Sequence, residues 1–112
     1  MSDTTASDTP VLDLLATMTT DSVEASSLDV QTIALVRLAA LVASDAPAVS
    51  YALNLAIAGE VGLDVDDVRG VLTAIAPIVG TSRVAAATSR IVVAIGVGIE
   101  QASAALADDE LD

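Results

Sequence analysis

Apolar residues recur along this chain at three- and four-residue intervals, and no alternating run of comparable length competes with them. Five helices follow from that periodicity. The first opens at Thr9-Pro10, a cap residue followed by proline at the first helical position. Val11, Leu12, Leu14, Leu15 and Met18 give it an apolar face. The Ser/Thr-rich stretch from Thr19 to Ser27 reads as a connector, with a short turn near Val23. The second helix is expected from about Asp29 to Ala43. Val30, Ile33, Leu38, Leu41 and Val42, with Ala34 and Leu35, leave it almost no polar face, which predicts burial in the domain centre or at a subunit contact.

Ser44-Asp45 reads as the cap of a third helix with Pro47 in its first turn, running through Tyr51 and Leu55 to about Glu60. Gly62 supplies a left-handed stop. Asp64 caps the fourth helix, and Asp66 and Asp67 lie where the helix dipole favours negative charge. Its inner face is Val65, Val68, Val71, Leu72 and Ile75; Pro77 ends or kinks it and Gly80 lets the chain turn. The fifth and longest helix starts at Thr81 or Ser82 and extends to about Ala107. Gly96 and Gly98 each cost it about 1 kcal/mol relative to alanine. Such a pair marks close approach of another backbone or a bend, and close packing is the favoured reading. The expected organisation is a disordered lead over 1–8, a single helical domain over 9–107 and an acidic tail over 108–112.

Composition changes this picture in one respect. The chain is 112 residues long and 54% hydrophobic but 1% aromatic, and Tyr51 is its single ring. Ala, Val, Leu and Ile must build the core, and alanine contributes little at about 25 cal/mol per Å². Mean hydropathy is nonetheless +0.71. Large apolar patches are unusual on monomers, so the surplus predicts a homo-oligomer, with the second and last helices expected to supply much of the interface.

Sixteen carboxylates against four arginines and no lysine give a net charge of −12. Such a chain repels phosphate, so no nucleic-acid partner and no anionic membrane surface is expected. The apolar runs from Gly70 to Gly80 and from Ile91 to Ile99 fall short of the roughly 20 residues that span a bilayer. The segment 1–8 lacks the basic start and apolar centre of a secretory signal. A cytoplasmic location is the expectation.

Candidate chemistry is sparse. The chain has neither cysteine nor histidine, and its acids fall at helix starts and tails without a ligand pattern. No metal, no cofactor and no catalytic residue is therefore assigned. Arg37 stands out because its helix neighbours are Ile33, Ala34, Ala40 and Leu41. The closest acids in sequence, Asp29 and Asp45, are each eight residues away, or ~12 Å along a helix. Its partner is expected from another segment, another subunit or a ligand. Arg90, among Ala86, Ala87, Val93 and Ala94, is expected in a subunit-crossing ion pair.

The run Asn54-Leu55-Ala56-Ile57-Ala58, then Gly62, then Asp66-Asp67-Val68, then Ala76-Pro77-Ile78-Val79-Gly80 resembles the carboxymuconolactone decarboxylase family, which includes the alkyl-hydroperoxidase D-like proteins. Ile33 to Ala40 also fits the family's apolar helix, so the likeness covers about Asp29 to Ala87. It implies an all-α fold of about five helices around a helical hairpin, assembled as trimers or hexamers. It does not carry over the redox chemistry. The family's redox branch has a Cys-x-x-Cys pair followed by histidine; by the spacing to Gly62, Pro47 and Ser50 stand at the cysteines and Asn54 at the histidine. The family's glutamate on the preceding helix is absent too.

What remains at the equivalent position is Arg37, Ser50, Tyr51 and Asn54. Ser50 and Asn54 are four apart and share a helix face. Two readings stay open. In one, these residues form a pocket in which Arg37 holds a small anion that Asn54 and Tyr51 orient, for binding or for a cofactor-free decarboxylase or isomerase reaction. In the other, Arg37 is a structural ion-pair partner, Ser50 and Asn54 are satisfied internal polar groups, and the protein has a structural or interaction role.

Overall fold

The computed structural model describes the backbone of residues 9–111 and the side chains of residues 9–96; the expected disordered lead over 1–8 lies outside the described residues. Five helices follow in order: α1 (Pro10–Ala25), α2 (Val30–Ala43), α3 (Ala48–Glu60), α4 (Val65–Val79) and α5 (Thr81–Leu111). No strand occurs among the described residues, so the all-α class expected from the periodicity is the observed one. Two compact units divide the chain, one up to Val30 and one from Gln31 onward, where the sequence reading takes 9–107 together.

In the first unit, Thr9 takes the N-cap and its carbonyl accepts from the Asp13 N–H at 2.9 Å. The expected connector from Thr19 is instead helix, and α1 runs on to Ala25. The hydroxyls explain it. Thr17, Thr19 and Thr20 donate to the carbonyls of Asp13, Leu15 and Ala16 at 2.8–3.1 Å, and Ser22 donates to Thr19 at 3.2 Å. Such back-bonding leaves the hydroxyls satisfied along the helix, so they do not compete for backbone N–H groups as they would in a turn.

In the second unit, Ser44 and Asp45 do not cap α3; they close α2. The Ala46 N–H reaches the Leu41 carbonyl at 3.0 Å and the Asp45 N–H reaches Val42 at 3.2 Å. This is a Schellman closure with Asp45 in the left-handed position at φ 58°. Pro47 is then the N-cap of α3. The same closure ends α3, where Gly62 at φ 92° is left-handed and Leu63 N–H bonds Ala58 O at 2.9 Å. Gln31 adds to it, donating from Nε2 to the Val61 carbonyl at 2.7 Å.

Asp64 opens α4 as read from sequence. Its carboxylate accepts from Asp67 N–H at 3.1 Å while Asp67 accepts from Asp64 N–H at 2.9 Å, a reciprocal capping box. Pro77 does not itself end α4: the helix carries it and stops two residues later at Val79. In the last turn its missing N–H deprives only the carbonyl of exposed Thr73 of a donor. Gly80, at φ 91°, makes the turn into α5.

α5 packs against α3 and α4. The core is Leu38 and Val42 of α2, Ala46, Tyr51 of α3, and Ala87, Ile91 and Ala94 of α5. Val68, Val71, Leu72, Ile75 and Val79 of α4 pack on it half-buried. Two expectations for α5 change. A Cβ at Gly96 would meet nothing of its own chain within 4 Å, so no neighbouring helix of the same chain accounts for that glycine; the Gly98 side-chain environment lies outside the described residues. The helix also continues past Ala107 to Leu111, taking Asp108, Asp109 and Glu110 of the expected tail into regular backbone, since no glycine or proline follows Gly98 to stop it.

Candidate functional site

The residues singled out from sequence do not converge on one pocket. Asn54 is half-buried and donates from Nδ2 to the Ser50 carbonyl at 2.9 Å, one turn back on its own helix. That bond joins the two and satisfies one face of the amide. Asn54 also lines a cavity between α2, α3 and α4, with Ala34, Leu35, Leu38, Leu55, Ala58, Leu63, Asp67 and Val68. Its volume is about 10 Å³, room for a single water molecule at most. Arg37 is half-buried on α2 and interacts with its surroundings, but it is not among the residues lining that cavity.

Tyr51 lies elsewhere, at the centre of the core. It is 0% exposed, and its hydroxyl is buried without a hydrogen-bond partner. Burial pushes the phenol above its ordinary value; the Arg90 guanidinium works against that shift and the Asp45 carboxylate adds to it. The ring shares its cluster with Val42 near the end of α2 and with Ala46 in the turn that follows.

That turn is held by two arginines the sequence reading did not place there. Arg90 pairs with the Asp45 carboxylate and donates to the Ala46 carbonyl at 3.3 Å. Arg83 donates to the Ala43 carbonyl. Both cations thus meet the carbonyl-rich end of α2, where its dipole favours positive charge. Arg90 was expected to cross to another subunit; its partner is Asp45 of the same chain, because the left-handed turn projects that carboxylate toward α5. A legible signal existed: Arg83 and Arg90 are seven apart, two helical turns, and so share a face. Arg90→Ala should lower stability by about 1 kcal/mol, since the pair is only partly shielded from water. Chemical denaturation of the variant beside wild type, with the sloping of the transition compared, reads that loss directly.

An open groove of about 260 Å³ runs between α3, α4 and α5, lined by Leu55, Ala58, Gly59, Leu63, Val65, Val68 and Ile95, with Asp64 at its edge. Its lining is apolar apart from the Asp64 carboxylate. Among the described residues no group of three or more Cys, His, Asp or Glu gathers to hold a metal ion, and no helix is long and apolar enough to cross a membrane.

Five helices among the described residues, with α5 packed on α3 and on α4, define an all-α protein. The chain belongs to the carboxymuconolactone decarboxylase family, whose profile matches residues 9–92. The match takes in α1 and the first part of α5 as well as the stretch from Asp29 to Ala87 in which the likeness is legible by eye. No match to this chain is found among curated proteins or solved structures.

Proposed function

We propose that this protein is a carboxymuconolactone decarboxylase-like homo-oligomer, a trimer or hexamer, that works without thiol peroxidase chemistry in a structural or interaction role. One observation carries the reading. The helix that would present the reactive groups carries Pro47, Ser50 and Asn54 instead, and Asn54 is bonded back to the Ser50 carbonyl. Peroxide reduction by this family's route needs a thiolate nucleophile. A serine hydroxyl needs an adjacent base to act in its place, and the chain contains no histidine or lysine to serve as one. Asn54 forms hydrogen bonds but exchanges no proton near neutral pH. The small cavity beside it favours a satisfied polar pair over a ligand pocket.

The reading is tested by hydroperoxide consumption. With dithiol reductants, purified protein should consume alkyl hydroperoxide at the rate of the buffer blank and exchange no disulfide. Turnover that persists after stringent metal removal and repurification would contradict it.

A further inference from the structure

The open groove of about 260 Å³ between α3, α4 and α5 approaches the size of the smaller ligand pockets, which start at roughly 300 Å³. Its apolar wall is made by Leu55, Leu63, Val65, Val68 and Ile95. Gly59 lines it as well, and nothing in the fold asks for a glycine there. The residue lies within α3, where glycine costs helix propensity relative to alanine. Its φ is not left-handed, and a Cβ built on it would meet nothing of the chain within 4 Å. The missing side chain therefore serves no turn and no packing contact within the chain; what it does is keep one wall of the groove clear.

Charge selects the occupant. Asp64 is the one charged residue lining the groove. Leu55, Ala58, Leu63 and Val68 line both the groove and the one-water cavity that Asn54 and Asp67 border, so the Asp67 carboxylate stands across a shared wall. Each of the two carboxylates gives one oxygen to the reciprocal capping box. Oδ2 of Asp64 and Oδ1 of Asp67 are left to accept from an outside donor. No arginine balances this charge. Arg37 borders neither space, Arg69 pairs with Asp66, and Arg83 and Arg90 hold the end of α2. The helix dipoles do not balance it either, because α3 ends and α4 begins at this point and their opposite ends offset. An apolar wall with a carboxylate at its edge repels an anion and suits a cation with an aliphatic body. We propose that the groove binds a small aliphatic amine in its protonated form, the alkyl chain against the apolar wall and the ammonium on the Asp64 carboxylate. One chain builds the whole site, so it stands apart from the reading of assembly above.

Titration of the full chain with n-hexylammonium, followed by methyl NMR, tests the site. The methyl signals of Leu55, Leu63, Val65, Val68 and Ile95 should shift and saturate. Met18, an exposed apolar side chain on α1, should not move, which separates a site from general adsorption. n-Hexanol should bind about three- to fivefold more weakly, as expected for loss of an exposed ion pair, and hexanoate more weakly still. Asp64→Asn keeps a good cap residue and should bring the amine down to the affinity of the alcohol. Gly59→Leu places a side chain in the groove and should abolish saturable binding of both, while leaving Tm at or above that of wild type because leucine is the better helix former. Shifts that spread equally to Met18 would overturn the site. Alcohol or carboxylate binding as tightly as the amine, or an amine affinity unchanged in Asp64→Asn, would overturn the assignment of its ligand.

Discussion

Tyr51→Ala should cost the protein about 3–5 kcal/mol, the range for removing a fully buried aromatic ring, while Tyr51→Phe should leave it as stable as wild type or slightly more so. The contrast follows from the ring's position. It is one of two large side chains among the described residues that are wholly buried, so its removal opens a cavity that the small residues of the same cluster, Ala46, Ala87 and Ala94, cannot refill. Its hydroxyl, however, is buried with no partner, and an unsatisfied buried donor costs about 1–3 kcal/mol. Phenylalanine keeps the ring and removes that cost.

The same hydroxyl gives an unusually clean pH experiment. The chain has no lysine, cysteine or histidine and a single tyrosine, and arginine stays protonated above pH 12. Above the range of the terminal amine, Tyr51 is the side chain left to titrate. Its folded value is raised above 10.0, chiefly by burial. Below pH 10 both states hold the proton and stability is flat. Above it the unfolded chain loses the proton first, so stability falls as pH rises toward the folded value, by at most about 1.4 kcal/mol per pH unit. Denaturation midpoints at successive alkaline pH should show that fall in wild type and a flat line in Tyr51→Phe. A wild-type profile that stays flat would show that the phenol ionises as easily folded as unfolded.

Leu38→Ala is the second large effect expected, about 2–5 kcal/mol. α2 reaches the main core cluster through Leu38 and Val42, one turn apart on a single face. Truncating Leu38 removes half of that grip and enlarges the cavity it already borders beside Asn54. The cavity it borders is also lined by the small residues Ala34, one turn back on α2, and Ala58 of α3, which can do little to refill the space. Thermal unfolding of the variant, followed by circular dichroism, should show a clear drop in Tm; a drop no larger than that of Arg90→Ala would mean that α2 is held mainly at its polar end.

The helical plan was legible in the sequence because it rests on periodicity and on local caps. Asp64 with Asp67, and the glycine stops at 62 and 80, act through groups within a few residues of one another, and the structure reproduces them. The misreadings share a cause as well. Thr19 to Ser22 look like a connector until their hydroxyls are credited with bonding their own helix. Asp45 looks like a cap for the helix after it, yet its left-handed backbone closes the helix before it and turns its carboxylate to Arg90, forty-five residues away. Pro47 and Pro77 were easier to see than to place: the first is an N-cap, the second rides in a last turn that tolerates it.

The candidate site was legible only as a set of residue types. Spacing correctly put Ser50 and Asn54 on one turn of α3. It could not reveal that Ser50 and Asn54 are half-buried while Val49, Leu53 and Ile57 face outward, because the helix has apolar residues on all sides and little amphipathic contrast to set its rotation. Tyr51 entered the sequence reading as a ligand-orienting group; its environment is the core, decided by long-range contacts with α5.

Sedimentation velocity on the full-length chain at low micromolar concentration tests the central claim most directly. On the proposed reading, the chain should sediment as a trimer or hexamer. A single species of monomeric mass, melting cooperatively, would contradict it.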